Sequence, residues 1–281
     1  MNIAGVVILY HPDIEQLSDN IQTYLNGLKQ LYVYDNSESK TPGIEEALLK
    51  LHPSIQYHYF KANEGIANRL NQAIAQATSN QYDYLLTMDQ DSSFKDGDFD
   101  KYKLSIQSSG DSNVAQFGVN SQPDFTQPKE QPEEALTLIT SGSILNLSLT
   151  RYIGPFNEDL FIDFVDAEFS YRVIQKGYAN LMFSNIVLNH ALGTLVEGRG
   201  LGNFKKSMRI IHAPIRVFYI VRNGLYLLFK AQGLTSVMKK DVIRCIKIIK
   251  NDLIYNPQLF SVYKNVFAGI YAFMINRMGK K

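Results

Sequence analysis

The sequence predicts an α/β fold with a mostly parallel sheet and helices on both faces. Short apolar runs alternate with amphipathic segments along the N-terminal third, which is typical of strands joined by crossover helices. The first run, Ile3–Leu9, is apolar throughout, as expected of a strand covered on both faces. With 281 residues, 45% of them hydrophobic and 20% charged, the chain can bury a large core.

Strands and helices alternate in the first 92 residues. The second element repeats apolar residues at helical spacing, and Pro42 suits the first turn of a helix. The predicted elements are, in order, strand Ile3–Leu9, helix Pro12–Leu28, strand Leu31–Tyr34, helix Pro42–Leu51, strand Ile55–Phe60, helix Gly65–Thr78 and strand Tyr82–Met88. This alternation predicts a parallel sheet.

The pattern is looser beyond residue 92. Val114–Val119 and Ala135–Thr140 are predicted strands, and the Pro-, Gln- and Glu-rich residues 121–134 between them are a predicted loop. Residues from about 204 onward are predicted to form helices with basic and aromatic faces.

Several features exclude whole classes of protein. The sequence has one cysteine, Cys245, so an internal disulfide and a metal site built from several cysteines are excluded. The first residues lack the basic lead-in and cleavage site of a signal peptide, so we interpret them as a strand. The most apolar stretch, Ala213–Phe229, is interrupted by Arg216, Arg222 and Asn223, so no bilayer span is predicted. We therefore expect a cytoplasmic protein.

The charge is divided unevenly along the chain. Residues 199–281 contain 16 Lys and Arg against two acids, a net charge of +14, whereas residues 1–198 have a net charge of −13. A basic C-terminal region indicates an anionic partner. We expect a membrane surface rather than nucleic acid.

Polar clusters follow the four predicted strands of the N-terminal third. They are Tyr10–Pro12, Asp35–Ser37, Asn63–Gly65 and Asp89–Asp91. Each cluster alone is explained by turn chemistry. Because ligands of open parallel sheets bind beyond the carboxyl ends of the strands, four clusters at equivalent places predict a shared ligand site.

Two carboxylates, Asp89 and Asp91, stand at positions i and i+2 after the fourth strand. Such a pair can bind a hard cation such as magnesium or manganese, and it is unfavourable without one. The alternative is a solvated acidic turn, since Asp96, Asp98 and Asp100 lie nearby.

A second acidic group, Asp163, Asp166 and Glu168, lies in an apolar segment. Desolvation disfavours the charged form of such carboxylates, which suits a general base. The alternatives are acids placed favourably at a helix N-terminus and an ion pair of Glu168 with Arg172 at i+4. His190, which follows an apolar run, is either a structural residue or a metal ligand.

Several segments together resemble family 2 glycosyltransferases with the GT-A fold, especially their bacterial rhamnosyltransferase-like branch. The matching segments, spread over about residues 3–223, are VVILYHP, VYDNS, NEGIANRLNQA, LLTMDQDS, TSGS, GPFNEDLFIDFVDAEFSYR, the His190 segment and RVFYIVRN. The resemblance implies a Rossmann-like nucleotide-diphospho-sugar transferase sheet with a basic helical C-terminal extension.

The resemblance also implies roles on the donor side. The implied donor-binding residues are Tyr10, Asp35, Asn63, Gly65, Asp89 and Gln90. Asp89-Gln90-Asp91 resembles the Asp-X-Asp motif, with Asp91 as direct ligand of Mn²⁺ or Mg²⁺ and Asp89 nearer the ribose and sugar. His190 matches a position that often completes the metal or diphosphate site.

On the acceptor side, Asp166 matches the catalytic base. The residues implied beside the sugar and acceptor are Ser141, Gly142, Asp163 and Glu168. Many relatives carry an acid where this chain has Val165, which makes the supporting role of Asp163 less certain.

The resemblance implies an inverting, metal-dependent transferase that acts in cell-envelope polysaccharide biosynthesis. The expected donor is dTDP-rhamnose, with UDP-hexoses or UDP-galactofuranose as alternatives, and the expected acceptor is a glycan or lipid-linked hydroxyl. A non-catalytic nucleotide-sugar or glycan-binding module is another alternative. A nucleotidyltransferase is disfavoured, because no glycine-rich phosphate loop follows the first strand.

We divide the chain into a GT-A catalytic domain (1–203) and a helical region (204–281). The catalytic domain has a nucleotide-binding half (about 1–92) and an acceptor half (about 93–203). In the helical region, residues 239–251 place apolar and basic residues on opposite helix faces. This helix either packs on the protein or lies on the cytoplasmic face of the inner membrane as a peripheral anchor.

Overall fold

A computed structural model of the chain describes residues 1–110, 112–122, 127–190, 194–199 and 206–281. The chain forms two units. Unit 1 comprises Met1–Asn157 and Asp166–Ala191, and unit 2 comprises Glu158–Val165 and Leu192–Lys281. The boundary that we placed at 203/204 lies inside unit 2, which also includes the short segment before Asp166.

Unit 1 is an α/β unit. Its strands are β1 (Ile3–Leu9), β2 (Gln30–Asp35), β3 (Ile55–Tyr59), β4 (Tyr84–Asp89), β5 (Ser93–Phe94), β6 (Val114–Asn120), β7 (Glu133–Glu134), β8 (Ser143–Asn146) and β9 (Ala179–Asn189). Its helices are α1 (Ile14–Leu25), α2 (Ile44–Leu51), α3 (Ile66–Ser79), α4 (Asp98–Ser109), α5 (Leu147–Ile153) and, apart from its first residue, α6 (Val165–Gln175).

The strands form one mixed sheet in the order β3-β2-β1-β4-β8-β6-β9-β5, and β7 also pairs with β9. The first four strands are parallel to one another. β8 is antiparallel to both of its neighbours, β4 and β6, whereas β6 and β9 are parallel. The predicted α/β fold with a mostly parallel sheet is confirmed.

Burial of apolar faces on both sides explains why these segments form the sheet and its helices. β1 has no exposed residue, and α1 buries Leu17, Ile21, Tyr24 and Leu25 while its other faces are polar. The side chain of Asp13 accepts a hydrogen bond from the Gln16 N–H at 2.9 Å and caps α1. The core thus lies between the sheet and its helices, and a local cap sets the start of α1.

The predicted strand Ala135–Thr140 is wrong, because this segment has no regular structure. Its backbone is bonded elsewhere: the Leu138 N–H donates to Ser170 Oγ at 3.1 Å, and Thr87 Oγ1 donates to the Thr140 carbonyl. The strand begins only at Ser143, after Gly142. The predicted loop 121–134 includes the two-residue β7, and its residues 123–126 lie outside the described part of the chain.

Unit 2 contains an antiparallel hairpin and several helices. The described elements are β10 (Thr194–Arg199), β11 (Lys206–Ile211), α7 (Pro214–Phe229), α8 (Ser236–Lys247), α9 (Asp252–Tyr255) and α10 (Leu259–Met274), with short 3₁₀ turns at Glu158–Leu160 and Ile248–Lys250. The prediction of helices from about residue 204 is wrong for β11 and right from Pro214 onward. In the part of the chain that the structure describes, none of the helices combines the length and the hydropathy of a bilayer span.

A buried cation organises unit 2. The guanidinium group of Arg222, a residue with 0% exposure, donates to the carbonyls of Gly279 at 2.6 Å, Asp159 at 3.1 Å and Leu160 at 3.2 Å. Burial lowers the pKa of Arg222, opposed by the nearby Tyr219 and by Asp159. Arg222 therefore joins α7, the chain terminus and the turn at residues 158–160.

The neighbouring Asn223 fixes the chain that follows this turn. Its amide donates to the carbonyls of Leu160, Ile162 and Asp163 at 2.8 to 2.9 Å. Phe161, Asp163 and Phe164 all have positive φ angles, between 61° and 66°. Non-glycine residues with such angles are held by their surroundings at a cost of about 1 to 3 kcal/mol each.

We predict that Arg222→Met lowers the free energy of unfolding by about 3 kcal/mol, because several carbonyls lose a charged donor. Urea denaturation measures this change. The matched control is Arg277→Met, since Arg277 is exposed and its truncation should change stability by less than about 0.5 kcal/mol. Equal stability of the two variants would contradict the assigned role.

Candidate active site

The carboxyl ends of the first four strands meet at one edge of the sheet. In the parallel register Ile8 lies beside Asp89, Leu9 beside Asp35, and Asp35 beside Tyr59. The polar clusters that follow these strands are therefore neighbours, as the sequence predicts. We call this edge the rim.

Two acids and a histidine form a group at the rim. One ligand atom from each of Asp89, Asp91 and His190 lies within 4.8 Å of the others, and His190 Nδ1 lies 3.5 Å from Asp91 Oδ1. His190 reaches the group because β5 pairs with β9, which sets Ser93 opposite Asn189. The pairing of the two-residue strand β5 thereby brings Asp91 and His190, almost a hundred positions apart, close together.

The donor chemistry of this group fits a divalent cation. Two carboxylates and an imidazole suit manganese or magnesium, and the carboxylates would repel each other without a positive charge. Burial raises the pKa of Asp91, but the hydrogen bond and charge of His190, together with hydrogen bonds from the backbone and Ser92, lower it by more, so the pKa lies below its usual value. Asp91 is therefore ionised at neutral pH, as a metal ligand must be.

A chain of hydroxyl groups supports the cation group from beneath. Ser92 Oγ lies 2.8 Å from His190 Nδ1, and Ser141 Oγ donates to Ser92 Oγ at 2.8 Å. The Asp89 N–H donates in turn to Ser141 Oγ at 3.1 Å. Ser92 is fully buried and Ser141 nearly so. Ser141 thus positions the segment that carries Asp89 and, through Ser92, the imidazole of His190. The bond of Ser92 to His190 was not predicted from the sequence, although Ser92 directly follows Asp91.

Glycine is required at position 142, directly after Ser141. Its φ is +75°, and a Cβ atom there would lie 2.8 Å from Val119 Cγ2 and 3.0 Å from a Leu188 methyl group. The Gly142 N–H donates to the Thr87 carbonyl at 2.9 Å. Close packing of this turn against β4, β6 and β9 holds Ser141 under the rim.

Asp35 is fully buried at the end of β2. Its Oδ1 accepts a hydrogen bond from the Ser37 N–H at 3.0 Å, and its Oδ2 accepts one from the Tyr57 hydroxyl at 2.6 Å. Burial and the bond to Asp35 raise the pKa of Tyr57. The expected contact of Asp35 with the nucleotide stays a prediction.

Asn63 and Gly65 shape the turn before α3. Asn63 Oδ1 accepts hydrogen bonds from Asn36 Nδ2 and from the Gly65 N–H, both at 3.0 Å. Gly65 has φ 86° and ψ 164°, a conformation that is essentially restricted to glycine. The two residues therefore fix the backbone between β3 and α3.

Arg69 is a buried cation behind the rim that the sequence reasoning missed. It is 1% exposed, donates to Asn36 Oδ1 at 2.9 Å and pairs with Glu64 at 2.8 Å. Its guanidinium carbon lies 3.7 Å from the ring centroid of Phe60. The signal was present: Arg69 lies three residues after Ile66 and four before Ala73, on the apolar face of α3.

The side chain of Gln90 joins the ends of β1 and β4. Its Oε1 accepts from the Tyr10 N–H at 2.7 Å, and its Nε2 donates to the Tyr10 carbonyl at 3.2 Å. Both polar atoms of the Gln90 amide are thus hydrogen-bonded to the backbone of Tyr10. The expected contact of Gln90 with the donor stays a prediction. Tyr10 itself is 48% exposed at the rim.

The acids that follow residue 162 are separated by the structure. Asp166 lies half-buried in the first turn of α6, where its Oδ1 accepts from the Ala167 N–H at 2.8 Å. Ser170 lies one turn further and binds the backbone at Leu138, three residues before Ser141. Positions i and i+4 share a helix face, so Asp166 lies on the face directed at that segment.

Glu168 and Asp163 are both in ion pairs. Glu168 accepts two hydrogen bonds from Arg172, at 2.8 and 2.9 Å, and Arg172 also donates to the Ile153 carbonyl, so the predicted i,i+4 ion pair is confirmed. Asp163 belongs to unit 2, where Arg216 Nη2 lies 2.5 Å from its Oδ1. Acceptor roles for these two acids stay predictions.

A comparison with known families decides the class of protein. Residues 14–163, just over half of the chain, match the model of the family described as glycosyl transferase family 2. The chain belongs to glycosyl transferase family 2. It is 25% identical over 255 residues to the dTDP-rhamnosyl transferase RfbF of Shigella flexneri, a match that covers 82% of this chain and 80% of that protein. The predicted rhamnosyltransferase-like resemblance is confirmed.

Solved glycosyltransferase structures share the fold of this transferase. The mannosyltransferase PcManGT from Pyrobaculum calidifontis, in complex with GDP-Man and Mn²⁺, has a TM-score of 0.61 at 14% identity, covering 98% of this chain and 75% of that chain. GalNAc-T7 with UDP, GalNAc and Mn²⁺ has a TM-score of 0.58 at 11% identity, covering 91% and 58%. The predicted GT-A fold is confirmed.

We predict that Ser92→Ala weakens Mn²⁺ binding by the transferase about 10-fold, because the imidazole of His190 loses a partner that orients it. Asp91→Asn, which removes a ligand, should weaken binding by more. Electron paramagnetic resonance of free Mn²⁺ measures both affinities. Asp96→Asn is the matched control, since this exposed acid lies outside the group. Unchanged affinity in Asp91→Asn would show that the ion binds elsewhere.

Proposed function

We propose that this glycosyltransferase moves a sugar from a nucleoside-diphosphate donor to a hydroxyl group, with inversion at the anomeric carbon. The observation that carries the proposal is the group formed by Asp89, Asp91 and His190 at the rim. A diphosphate near these acids meets like charge, so a cation between them is needed for binding.

The donor side combines residues at the ends of the first four strands with His190, which follows β9. Asp89, Asp91 and His190 would hold Mn²⁺ or Mg²⁺, which when bound neutralises charge on the departing diphosphate as a Lewis acid. Tyr10 offers an exposed ring at the rim after β1, and Asn63 and Gly65 fix the turn that follows β3. These residues bind and orient the nucleotide in the proposal, with Asp35 held below them by Tyr57.

Asp166 acts as the general base of the transfer. Its carboxylate accepts the proton of the acceptor hydroxyl as that oxygen forms a bond to the anomeric carbon. The bond from this carbon to the diphosphate oxygen breaks, and the nucleoside diphosphate leaves with the electron pair. Its half-buried position in the first turn of α6, on the face directed at the segment that ends in Ser141, supports this assignment.

The proposed donor is dTDP-rhamnose. It is supported by the likeness to the dTDP-rhamnosyl transferase RfbF. UDP-hexoses and UDP-galactofuranose remain the alternatives, since the structures with a similar fold include complexes with GDP-Man and with UDP. The proposed acceptor is a glycan or lipid-linked hydroxyl used in cell-envelope polysaccharide synthesis on the cytoplasmic face of the inner membrane. The excess of basic residues in 199–281 supports attachment there.

We predict that Asp166→Asn lowers kcat about 100-fold or more while the dissociation constant of the donor changes less than twofold, because the variant keeps the pocket but cannot accept the proton. Single-turnover transfer and calorimetric donor titration measure the two quantities. Asp96→Asn should retain both. A full transfer rate in Asp166→Asn would remove the assignment.

We predict that dTDP-rhamnose raises the melting temperature more than UDP-glucose, UDP-galactofuranose or GDP-mannose, and that EDTA abolishes the shift. The reason is that ligand binding stabilises the folded state by mass action. Slow Mn²⁺-dependent donor hydrolysis should accompany binding. Binding without hydrolysis or transfer would instead favour a non-catalytic binding module.

A further inference from the structure

The helix α10 packs on α7 through one narrow face of small and buried residues. Val262, Asn265, Gly269 and Ala272 are the buried positions of α10. A Cβ atom at Gly269 would lie 2.8 Å from the Phe218 carbonyl oxygen, so the two helices approach closely. This face carries the packing of α10 on α7.

The opposite face of α10 is apolar and exposed. Its residues are Phe260 (86% exposed), Tyr263 (47%), Phe267 (68%), Ile270 (37%), Tyr271 (63%) and Met274 (72%). At 100° per residue they lie within an arc of about 100°. The outward face of a soluble helix is usually polar, so this row, which we call the α10 stripe, is unusual.

The helix α8, which the sequence suggested as an anchor, does not offer such a face. Val242 is fully buried, Ile249 is 9% exposed, and Ile246 packs so tightly on Gly224 of α7 that a Cβ there would lie 2.6 Å from it. The apolar side of α8 is covered by protein. For α8 this favours packing, which was one of the two alternatives.

The surroundings of the α10 stripe are basic. Lys264 is exposed beside it, and the exposed side chains of Lys230, Arg277 and Lys280 occur in the segments that end α7 and follow α10. Neither acid of residues 199–281 is exposed. Asp252 is fully buried against His212, and Asp241 is 9% exposed and paired with Arg244.

We propose that the α10 stripe inserts into the interface of an anionic lipid bilayer. The helix has 16 residues and is about 24 Å long, so it lies along the surface rather than crossing it. Phenylalanine and methionine enter the acyl boundary, the Tyr271 hydroxyl stays at headgroup level, and the lysines contact lipid phosphates. The Tyr263 hydroxyl instead donates to the Leu253 carbonyl at 3.2 Å. The inference names the surface for the membrane attachment proposed above.

Charge favours lipid over a second copy of the chain. Two copies facing each other through the stripe would bring together two regions 199–281 that each carry a net charge of +14. The exposed carboxylates of unit 2 that the structure describes are those of Glu158, Asp159 and Glu197, which offset only a small part of that charge. An anionic surface supplies the missing negative charge.

The test is flotation of the full-length protein with phosphatidylcholine vesicles, with and without phosphatidylglycerol. We expect the unmodified protein to float with the anionic vesicles and to detach at high salt. A triple variant, Phe260→Ser, Phe267→Ser and Met274→Ser, should lose at least about 10-fold in binding, because each removed side chain contributes apolar burial. All three positions are more than two-thirds exposed, so the fold should persist.

The matched control is Leu104→Ser, which changes an apolar residue of unit 1 that is 63% exposed. It should float like the unmodified protein. Equal flotation of the triple variant, or no flotation of the unmodified protein, would overturn the proposal. The proposal would also be overturned if the triple substitution lowered the oligomeric mass, measured by light scattering, without weakening flotation. The stripe would then be a self-association surface.

Donor hydrolysis with Mn²⁺ should be the same in the triple variant and the unmodified protein. Hydrolysis that persists without any flotation would overturn the lipid proposal and leave the proposed transferase reaction intact. Flotation without hydrolysis by the unmodified protein would contradict the reaction and leave the lipid proposal standing.

Discussion

Backbone hydrogen bonds between the parallel strands β3, β2, β1 and β4 hold the rim together, and the donor side of the site depends on them. The register of these strands sets Asp35 beside Leu9 and Asp89 beside Ile8. Because side chains alternate along a strand, a slip of one residue would turn each of these carboxylates to the other face of the sheet. Burial on both faces makes such a slip costly, which keeps the acids where a diphosphate would bind.

The cation group adds a second constraint, because its members come from distant parts of the chain. Asp89 and Asp91 follow β4, His190 follows β9, and the hydroxyls of Ser92 and Ser141 join them. A buried polar network of this kind is stable only when each group has a partner, and it then specifies one arrangement. Removing one hydroxyl should therefore disturb the ligand geometry more than the overall stability.

The sequence predicted β1 and β4 because strands buried on both faces are continuous apolar runs, and it placed the acids after them by the topology of parallel sheets. It failed at Ala135–Thr140, where an apolar segment is bonded to side chains such as Ser170 instead of a neighbouring strand. β5 has only two residues and left no signal, so the contact between His190 and Asp91 came from resemblance alone. Arg69 was missed because a charged residue on an apolar helix face is easily taken for a solvated one.

The uneven charge of the chain reflects different charge requirements at the rim and in the C-terminal region. The rim carries acids that need a cation before a diphosphate can bind, which accounts for part of the −13 of residues 1–198. The C-terminal region buries both of its acids, whereas Lys264, Arg277 and other bases near the apolar stripe are exposed. Bases so placed add little to folding, because exposed like charges repel one another. The proposed membrane attachment would give these bases a role, because an anionic surface attracts them.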